Sequence, residues 1–174
     1  MRVTVVYESF YGNTRQIAEA VRDGISQALA SQASDAADET VTRIELLDVT
    51  DLGTAGLSGR VGNGDLLIVG SPTRAFSPTE AVSGLLKALP RNALSGVKAA
   101  AFDTRVHEQD ISSGAVRFMV RLFGYAAPKM QRRIAACGAR VIGTEGFLVA
   151  GNEGPLRDGE IERARGWAES FVNA

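Results

Sequence analysis

The chain has 174 residues, of which 45% are hydrophobic and 22% are charged, and its formal net charge is −1. These values favour one globular domain and give no reason to expect a nucleic-acid partner. The single cysteine excludes an intramolecular disulfide, and one cysteine with one histidine disfavours a zinc site. The sequence shows neither an apolar run long enough to span a bilayer nor a secretory signal, so a cytoplasmic location is expected.

The first half of the chain alternates apolar segments with one amphipathic helix. Arg2–Tyr7 is almost continuously apolar, which predicts a central parallel strand covered on both faces. The helix that follows is indicated by apolar residues at every fourth position, namely Ile17, Val21, Ile25 and Leu29. The polar segment Ser31–Thr40 predicts a loop, and Val41–Val49 predicts the second strand, with Ile44 and Leu46 on one face. Thr50–Gly64 predicts an irregular loop with at most one short helical turn.

The middle of the chain repeats this alternation. Asp65–Gly70 predicts a buried third strand and Val97–Phe102 predicts the fourth. Between them, the loop Ser71–Phe76 leads into Ser77-Pro78-Thr79-Glu80, which marks a helix start with Ser77 as cap and Pro78 as the first helical residue. The buried stripe of that helix comprises Val82, Leu85, Leu86 and Leu89. Asp103–Ser112 predicts the loop after the fourth strand.

The second half completes an alternating α/β pattern. Ser113–Gly124 predicts a helix, and Pro128–Cys137 continues it or restarts it after Pro128. Asp158–Val172 predicts the last helix. Arg140–Gly143 and Phe147–Ala150 predict a fifth strand that is interrupted between the two segments. Cys137, Met130 and Ile134 share one helical face, so a core thiol is expected. Trp167 lies in the last helix, where a core or boundary role is expected. Alternating strands and helices imply a parallel sheet with helices on both faces.

Three loops follow strands of this predicted sheet and are candidates for a ligand site. Ligands of open parallel sheets bind outside the carboxyl ends of the strands. Ser9–Thr14 joins a strand to a helix, and backbone N–H groups at such a junction bind phosphate. Ser71–Phe76 adds backbone amides, an aromatic ring and a cation, and Asp103–His107 adds polar side chains. Together these loops suit a ligand with a phosphate at one end and a flat heterocycle at the other.

The order and spacing of these loops resemble those of the flavodoxin family over essentially the whole chain, 1–174. The phosphate loop of that family is Thr/Ser-x-Thr/Ser-Gly-x-Thr, and this chain has Ser9-Phe10-Tyr11-Gly12-Asn13-Thr14, with Tyr11 as the departure. The Ser-x-Tyr-Gly turn and the run Gly70–Arg74 are similar to those of the flavodoxin-like NAD(P)H:quinone oxidoreductases. The resemblance implies a single domain, a three-layer α/β sandwich with a five-stranded parallel sheet of order 2-1-3-4-5, and bound FMN.

The resemblance also implies which residues hold FMN. They are Ser9, Phe10, Tyr11, Gly12, Asn13 and Thr14 around the phosphate, and Pro72, Thr73, Arg74, Ala75, Phe76, Asp103, Thr104 and Arg105 around the isoalloxazine ring. Phe76 is the only aromatic residue of the two ring loops, so the usual pair of stacking aromatics is incomplete. Arg74 and Arg105 would stabilise reduced flavin more than the acidic surroundings of flavodoxins do.

The charge and hydropathy of the segment 111–144 indicate a contact surface. It holds six basic residues and no acid, whereas the remaining sequence holds 13 basic and 20 acidic residues. Within its first helix, Val116, Met119, Val120 and Phe123 are expected to face the sheet. Phe118, Leu122 and Tyr125 form a second apolar stripe, which predicts contact with a second copy, a redox partner or an anionic membrane surface.

These observations leave three functions open. The first is an FMN-binding electron-transfer protein that passes electrons between a reductase and an acceptor such as a partner protein or a quinone. The second is an NAD(P)H-dependent FMN quinone reductase, and the third is a flavin-free binding or regulatory module, suggested by the incomplete aromatic pair. No residue set predicts covalent catalysis, and the single histidine, His107, is more typical of a surface residue than of an acid or base.

Overall fold

A computed structural model describes residues 1–33, 43–52, 56–57 and 59–172. The strands are β1 (Arg2–Tyr7), β2 (Arg43–Asp48), β3 (Leu66–Pro72), β4 (Lys98–Val106) and β5 (Arg140–Val149). The helices are α1 (Asn13–Ala33), α2 (Glu80–Ala88), α3 (Gly114–Phe123), α4 (Ala126–Ala136) and α5 (Glu160–Glu169). Short 3₁₀ turns cover Val49–Leu52 and Glu108–Asp110.

The five strands form one parallel sheet of order β2-β1-β3-β4-β5, which confirms the predicted fold. β1 lies between β2 and β3, with Val5 opposite Leu46 on one side and opposite Ile68 on the other. The strand order reverses beside β1, because β2 extends the sheet in one direction and β3 to β5 extend it in the other. The carboxyl ends of β1 and β3 therefore border the crevice where ligands of such sheets bind.

Successive residues of a strand point to opposite faces of the sheet, so both faces carry apolar side chains, and helices cover both. Val3, Val5 and Ile68 pack under α1 and α5, whereas Val6 and Leu67 pack under α2 and α4. On the first face, Gly24 lets α1 approach the backbone of α5 at Arg165, and an aromatic cluster fills the space beside β4 and β5. That cluster comprises Phe102, Phe147, Trp167 and Phe171. Trp167 is partly buried and packs against the core, which agrees with the core or boundary role expected for it.

The second face contains the buried residues of α4, namely Ala126, Ala127, Met130 and Ile134. The thiol of Cys137 lies in the same cluster, with its residue 1% exposed, as the sequence predicted. Within the described residues, none of the helices combines the length and the apolar character needed to cross a bilayer.

Several predicted boundaries are wrong, and each error has a physical cause. β4 continues to Val106, where a loop from Asp103 was expected, because its polar residues find buried partners. β5 is continuous, and its only irregularity is a register shift opposite Ala99 and Ala100. α2 is capped by Thr79 rather than Ser77, since the hydroxyl of Thr79 accepts the amide of Val82. Pro78 consequently lies before the helix.

The polar segment between β1 and β2 also differs from the prediction. α1 continues through Ala33, so the first residues of the expected loop Ser31–Thr40 are helical. The rest of that loop and Val41 lie outside the described residues, as do residues 53–55 and 58 of the expected loop Thr50–Gly64. Ile44 and Leu46 pack on the same face of the sheet, as predicted.

The helix α3 does not pack as predicted. Of the four residues expected to face the sheet, only Val120 is buried, at 7% exposure. Val116, Met119 and Phe123 are exposed, like Phe118 and Leu122. The cause is position, because α3 packs mainly on the 3₁₀ turn Glu108–Asp110 and not on a strand of the sheet.

Candidate functional site

A cavity of about 400 Å³ lies at the carboxyl ends of the central strands. It is bordered by the loops after β1 and β3, the end of β4 and the loop after β5. The lining residues are Ser9, Phe10, Tyr11, Asn13, Thr14, Pro72, Thr73, Arg74, Ala75, Thr104, Arg105, Val106, Val149, Asn152 and Glu153. All three loops that the sequence singled out therefore contribute to one cavity.

The loop after β1 presents the start of α1 to this cavity. Gly12 adopts φ +84°, a conformation that glycine tolerates without strain, and its carbonyl accepts the amide of Gln16 at 3.0 Å. Two side chains fix the first turn of the helix. The amide of Asn13 donates to the carbonyl of Glu153 at 2.8 Å, and the hydroxyls of Thr14 and Thr104 are 2.8 Å apart. The amides of this first turn have no intrahelical acceptors and carry the positive end of the helix dipole.

Ser9 supplies the clearest sign that a ligand belongs at this turn. Its hydroxyl oxygen is buried and has no hydrogen-bond partner among the described residues. Buried polar groups are nearly always paired, and leaving one unpaired costs about 1–3 kcal/mol. Because Ser9 lines the cavity, a ligand atom placed there would satisfy the hydroxyl.

The loop after β3 holds a tight turn in an unusual backbone conformation. Arg74 and Ser77 exchange two backbone hydrogen bonds of 2.9 Å, and the residues between them, Ala75 and Phe76, have φ of +43° and +64°. Such values are strained for residues with a Cβ atom and occur mainly where surrounding structure enforces them. Lys129 of α4 contributes, since its ammonium donates to the carbonyl of Phe76 at 2.7 Å. The turn thus presents Arg74 and Ala75 to the cavity in a fixed geometry.

Asp103 stabilises the site from beneath instead of lining it. Its side chain is fully buried, is paired with Arg105 and accepts the amide of Ala127 at 2.6 Å. The hydroxyl of Thr73 accepts the neighbouring amide, that of Ala126, at 2.9 Å. These two acceptors come from β4 and the β3 loop, and they cap the start of α4. Burial raises the pKa of the Asp103 carboxyl above its usual range, while Arg105 and the amide of Ala127 oppose that rise.

Arg105 lies where three cavities meet. Its guanidinium is paired with Asp103, lies over Gly146 and stacks 4.0 Å from the centre of the Tyr125 ring. Besides the first cavity, it borders a second of about 480 Å³, beside His107 and Arg163, and a third of about 450 Å³ beneath α3. Because Asp103 neutralises its charge, Arg105 acts here as a paired group.

The aromatic residues at the cavity are not the one that the sequence predicted, Phe76. Phe76 does not line the cavity, and its ring packs against Phe123 of α3 with centroids 5.9 Å apart. Phe10 and Tyr11 instead stand at the rim, 54% and 50% exposed. The guanidinium of Arg74 lies 4.9 Å from the centre of the Phe10 ring and so connects the first two loops. Two aromatic faces are therefore available to a flat ligand.

Eleven of the fourteen predicted site residues line the cavity, and Gly12, Phe76 and Asp103 do not. Four lining residues were missed: Val106, Val149, Asn152 and Glu153. The rule that ligands bind at strand ends would have indicated the loop after β5, had that strand been predicted as continuous. His107 accepts the amide of Gln109 through Nδ1 and caps a 3₁₀ turn, as expected of a surface histidine. In the described part of the chain, no three metal-ligating side chains come together.

Comparisons with known proteins agree with this geometry. The family model described as Flavodoxin matches residues 5–167. The oxidised Flavodoxin 1 of Bacillus cereus has a similar structure, with a TM-score of 0.69, 19% identity, and coverage of 99% of this chain and 98% of that chain.

Two other solved structures share the fold at low identity. The flavodoxin, WrbA-like protein of Agrobacterium tumefaciens has a TM-score of 0.62 at 15% identity, covering 99% of this chain and 95% of that chain. Rubredoxin oxygen:oxidoreductase of Desulfovibrio gigas gives a TM-score of 0.70 at 15% identity, but the match covers 99% of this chain and only 35% of that chain. No curated protein matches this sequence.

Proposed function

The chain belongs to the flavodoxin family, whose members bind FMN, and on that premise we propose that it is a cytoplasmic electron-transfer protein. In this proposal residues 1–174 form one FMN-binding domain. The domain carries electrons between a reductase and an acceptor, which is a redox partner protein or a quinone. The observation that carries the proposal is the buried, unpaired hydroxyl of Ser9, which lines the cavity in the loop that leads into α1.

The residues of the cavity fit the phosphate of FMN. The hydroxyl of Ser9, the first-turn amides of α1 and the helix dipole together provide donors and positive potential for an anion. Asn13 and Thr14 already use their side chains to hold the turn in place, so their role in this proposal is to position the backbone. Preorganised donors bind an anion without the cost of ordering them.

The other end of the cavity fits a flat ring system. Phe10 and Tyr11 offer exposed aromatic faces. The amides of Thr73 and Arg74 are bonded to the carbonyls of Thr104 and Ser77, which holds the turn in place and leaves the amide of Ala75 as the donor it can offer to a ring. Bound FMN would supply the one- and two-electron chemistry that no side chain provides. The chain's own residues would bind it, orient it and limit its exposure to water. None of them needs a catalytic role in that function.

A specific observation favours the quinone reductase as a second candidate. The third cavity, beneath α3, adjoins the first through Thr73, Arg105, Val106 and Asn152, which line both. Its other lining residues include Ile111, Val116, Val120 and Ala150, so it is partly apolar. A carrier that only meets protein partners has no use for a second ligand-sized cavity beside its cofactor. The flavin-free module loses its motivation, because Phe10 and Tyr11 supply the aromatic faces that seemed to be missing.

Absorption spectroscopy of the purified protein tests the two candidates. The protein is mixed with FMN, desalted, and then treated anaerobically with NADH or NADPH in the presence and absence of a water-soluble quinone. A carrier retains the flavin spectrum after desalting and is not bleached by the nicotinamide. Bleaching followed by quinone turnover would favour the reductase, and loss of all flavin on desalting would contradict both.

The proposal includes a contact surface on α3, predicted from the sequence through Phe118, Leu122 and Tyr125. Phe118 and Leu122 are exposed, which supports the prediction for these two residues. Tyr125 is removed from the surface, because its ring lies under Arg105 and its hydroxyl donates to the carbonyl of Val106 at 3.3 Å. A homodimer contact and a membrane contact are both compatible with the remaining residues.

A further inference from the structure

Most side chains of the helix α3 are exposed, and its few side-chain contacts include Phe123 against Phe76 and the ion pair of Arg121 with Glu108. Val120 is its only buried residue, and every other residue from Gly114 to Phe123 is exposed. Seven of its ten residues are apolar, and Phe118 and Leu122 are 64% and 62% exposed. Short helices in water depend on packing of an apolar face for their stability. We propose that α3 docks on the surface of an anionic lipid bilayer.

The arrangement of side chains around α3 suits a helix that lies in a membrane surface. At about 100° per residue, Phe118 and Leu122 lie roughly opposite to Val120 and point away from the protein. Met119 and Phe123 extend the apolar face on one flank. Arg117 and Arg121 form the opposite flank, about 100° around the helix axis from the middle of the Phe118 and Leu122 face. When Phe118 and Leu122 enter the lipid, both guanidinium groups therefore reach the level of the phosphate groups.

Charge complementarity selects an anionic surface. The helix α3 carries two basic residues, Arg117 and Arg121, and no acid, although the chain as a whole has a net charge of −1. Arg117 has no carboxylate partner among the described residues, and Arg121 is 72% exposed although it is paired with Glu108. Each basic residue near an anionic bilayer strengthens its binding, whereas the acidic remainder of the chain is repelled. The protein would thus approach such a bilayer with α3 first.

A second copy of the chain fits this face less well. A stable interface takes about 20–30 residues from each partner, whereas α3 offers five large exposed apolar residues. A two-fold contact between two α3 helices would also bring Arg117 and Arg121 close to the same residues of the other copy. A bilayer has neither requirement, because it accepts a single helix and supplies the opposite charge.

The position of α3 connects this contact to the cofactor cavity. Val116 and Val120 line the third cavity, which shares a wall with the first at Thr73 and Arg105. The other large exposed apolar residues near this end are Phe10 and Tyr11, at the rim of the first cavity. Docking through α3 would bring the rim of the cavity close to the lipid, where a lipid-soluble acceptor resides. Electron transfer to such an acceptor rests on the proposed function, but binding of the protein to lipid is measurable whether or not that function is correct.

Co-sedimentation with vesicles tests the proposal. The FMN-loaded protein is mixed with vesicles of phosphatidylcholine alone and with vesicles that also contain phosphatidylglycerol, and the bound fraction is measured at low and high salt. We expect binding about tenfold tighter to the anionic vesicles, weakened by salt. F118S/L122S should abolish binding to both, and R117Q/R121Q should remove the preference for anionic lipid.

A matched control removes the same charge elsewhere. Arg91 and Arg140 are exposed at the opposite, amino-terminal end of the strands, so R91Q/R140Q should bind anionic vesicles like the wild type. The flavin spectrum of each variant reports whether the fold and the cofactor site are intact.

Three results would overturn the proposal. They are absence of sedimentation with anionic vesicles, equal sedimentation of wild type and F118S/L122S, and a wild-type dimer in solution that F118S/L122S converts to a monomer. The last would assign the face to a second copy. If the protein retained no FMN but still sedimented with anionic vesicles, the proposed function would fail and the lipid contact would stand.

Discussion

The consecutive helices α3 and α4 have nearly the same length but very different surroundings. α4 buries four residues against β3, β4 and β5, and its first amides are capped by Thr73 and Asp103. α3 buries only Val120 and is capped locally by Ser113. Both helices are amphipathic in sequence. Periodicity therefore identifies an apolar face, but the position of the helix relative to the sheet decides whether the protein itself covers that face.

The difference separates a structural part of the molecule from a part that is available for function. The buried side of α4 belongs to the core on the second face, its amide at Ala127 binds Asp103 of β4, and its Lys129 binds the β3 loop beside the first cavity. α3 contributes Val116 and Val120 to the third cavity, which adjoins the first. The outer face of α3 is left uncovered. Substitutions in the two helices should accordingly affect different properties.

The largest contrast is expected between truncations on the two helices. Ile134→Ala removes a fully buried side chain of α4 and should lower the free energy of unfolding by about 3 kcal/mol, by loss of packing and creation of a cavity. Leu122→Ala on α3 should change it by no more than about 0.5 kcal/mol, because the side chain is exposed. Urea unfolding of both variants measures this. Equal losses would mean that α3 is packed in solution.

Asp103→Asn tests the connection between β4 and the start of α4. The change leaves Arg105 without its anionic partner and weakens the acceptor for the amide of Ala127. We expect a loss of about 2 kcal/mol in the free energy of unfolding, less than for fully buried ion pairs because Arg105 keeps its contact with Tyr125. Denaturation at neutral pH measures the loss, and an unchanged midpoint would contradict the structural role of Asp103.

The same variant has a predicted pH dependence. Burial raises the pKa of Asp103 in the folded chain, so the folded state keeps this proton to a higher pH than the unfolded state. The contribution of this group to stability then increases as the pH falls from the folded pKa towards the unfolded value of about 3.9. The stability deficit of Asp103→Asn should therefore grow as the pH falls towards about 4. A deficit that shrinks over this range would show that the folded pKa is not raised.

Ser9→Ala tests the ligand assigned to the unpaired hydroxyl. Loss of a hydrogen bond to a charged group should weaken FMN binding about tenfold. Thr144→Val is the matched control, since the hydroxyl of Thr144 is also buried and unpaired but Thr144 does not line the cavity. Neither change should destabilise the flavin-free protein. Fluorescence titration with FMN measures the affinities, and equal affinities of Ser9→Ala and wild type would reject the assignment.

The smallest predicted effect concerns Arg74 at the rim of the cavity. Arg74 has no carboxylate partner among the described residues, unlike Arg105, so its charge acts on a bound flavin. Arg74→Gln should make the two-electron potential of bound FMN more negative by about 20 mV, equivalent to about 1 kcal/mol for an exposed charge. Arg91→Gln, at the other end of the strands, should leave the potential unchanged. An anaerobic redox titration distinguishes the two variants, and equal potentials would exclude a role for Arg74.

The sequence predicted the bounds of elements that are packed between apolar layers. Arg2–Tyr7 was identified to the residue, because a strand covered on both faces is apolar throughout. The resemblance of the three loops to those of the flavodoxin family then predicted the strand order, which hydrophobic periodicity alone does not indicate. The turn between β1 and α1 was located because it is a local junction of strand and helix, and phosphate binding there stays a prediction.

The errors occur where a residue depends on a distant partner. Asp103 is polar and seemed to end β4, but it is buried because Arg105 and the amide of Ala127 satisfy it. Gly143 and Gly146 seemed to interrupt β5, but these glycines make room for the ring of Phe171 and the side chain of Arg105. Contacts of this kind cannot be read from local sequence, because the partners are far apart along the chain.

Titration of the flavin-free protein with FMN and with riboflavin tests the assignment of the cavity most directly. The two ligands share the ring system and differ in the phosphate, which we place at Ser9 and the start of α1. We predict saturation at one FMN per chain with quenching of flavin fluorescence, and binding of riboflavin about 100-fold weaker. Equal affinity for both ligands, or no binding of FMN, would contradict the assignment of this cavity as a phosphate-anchored FMN site.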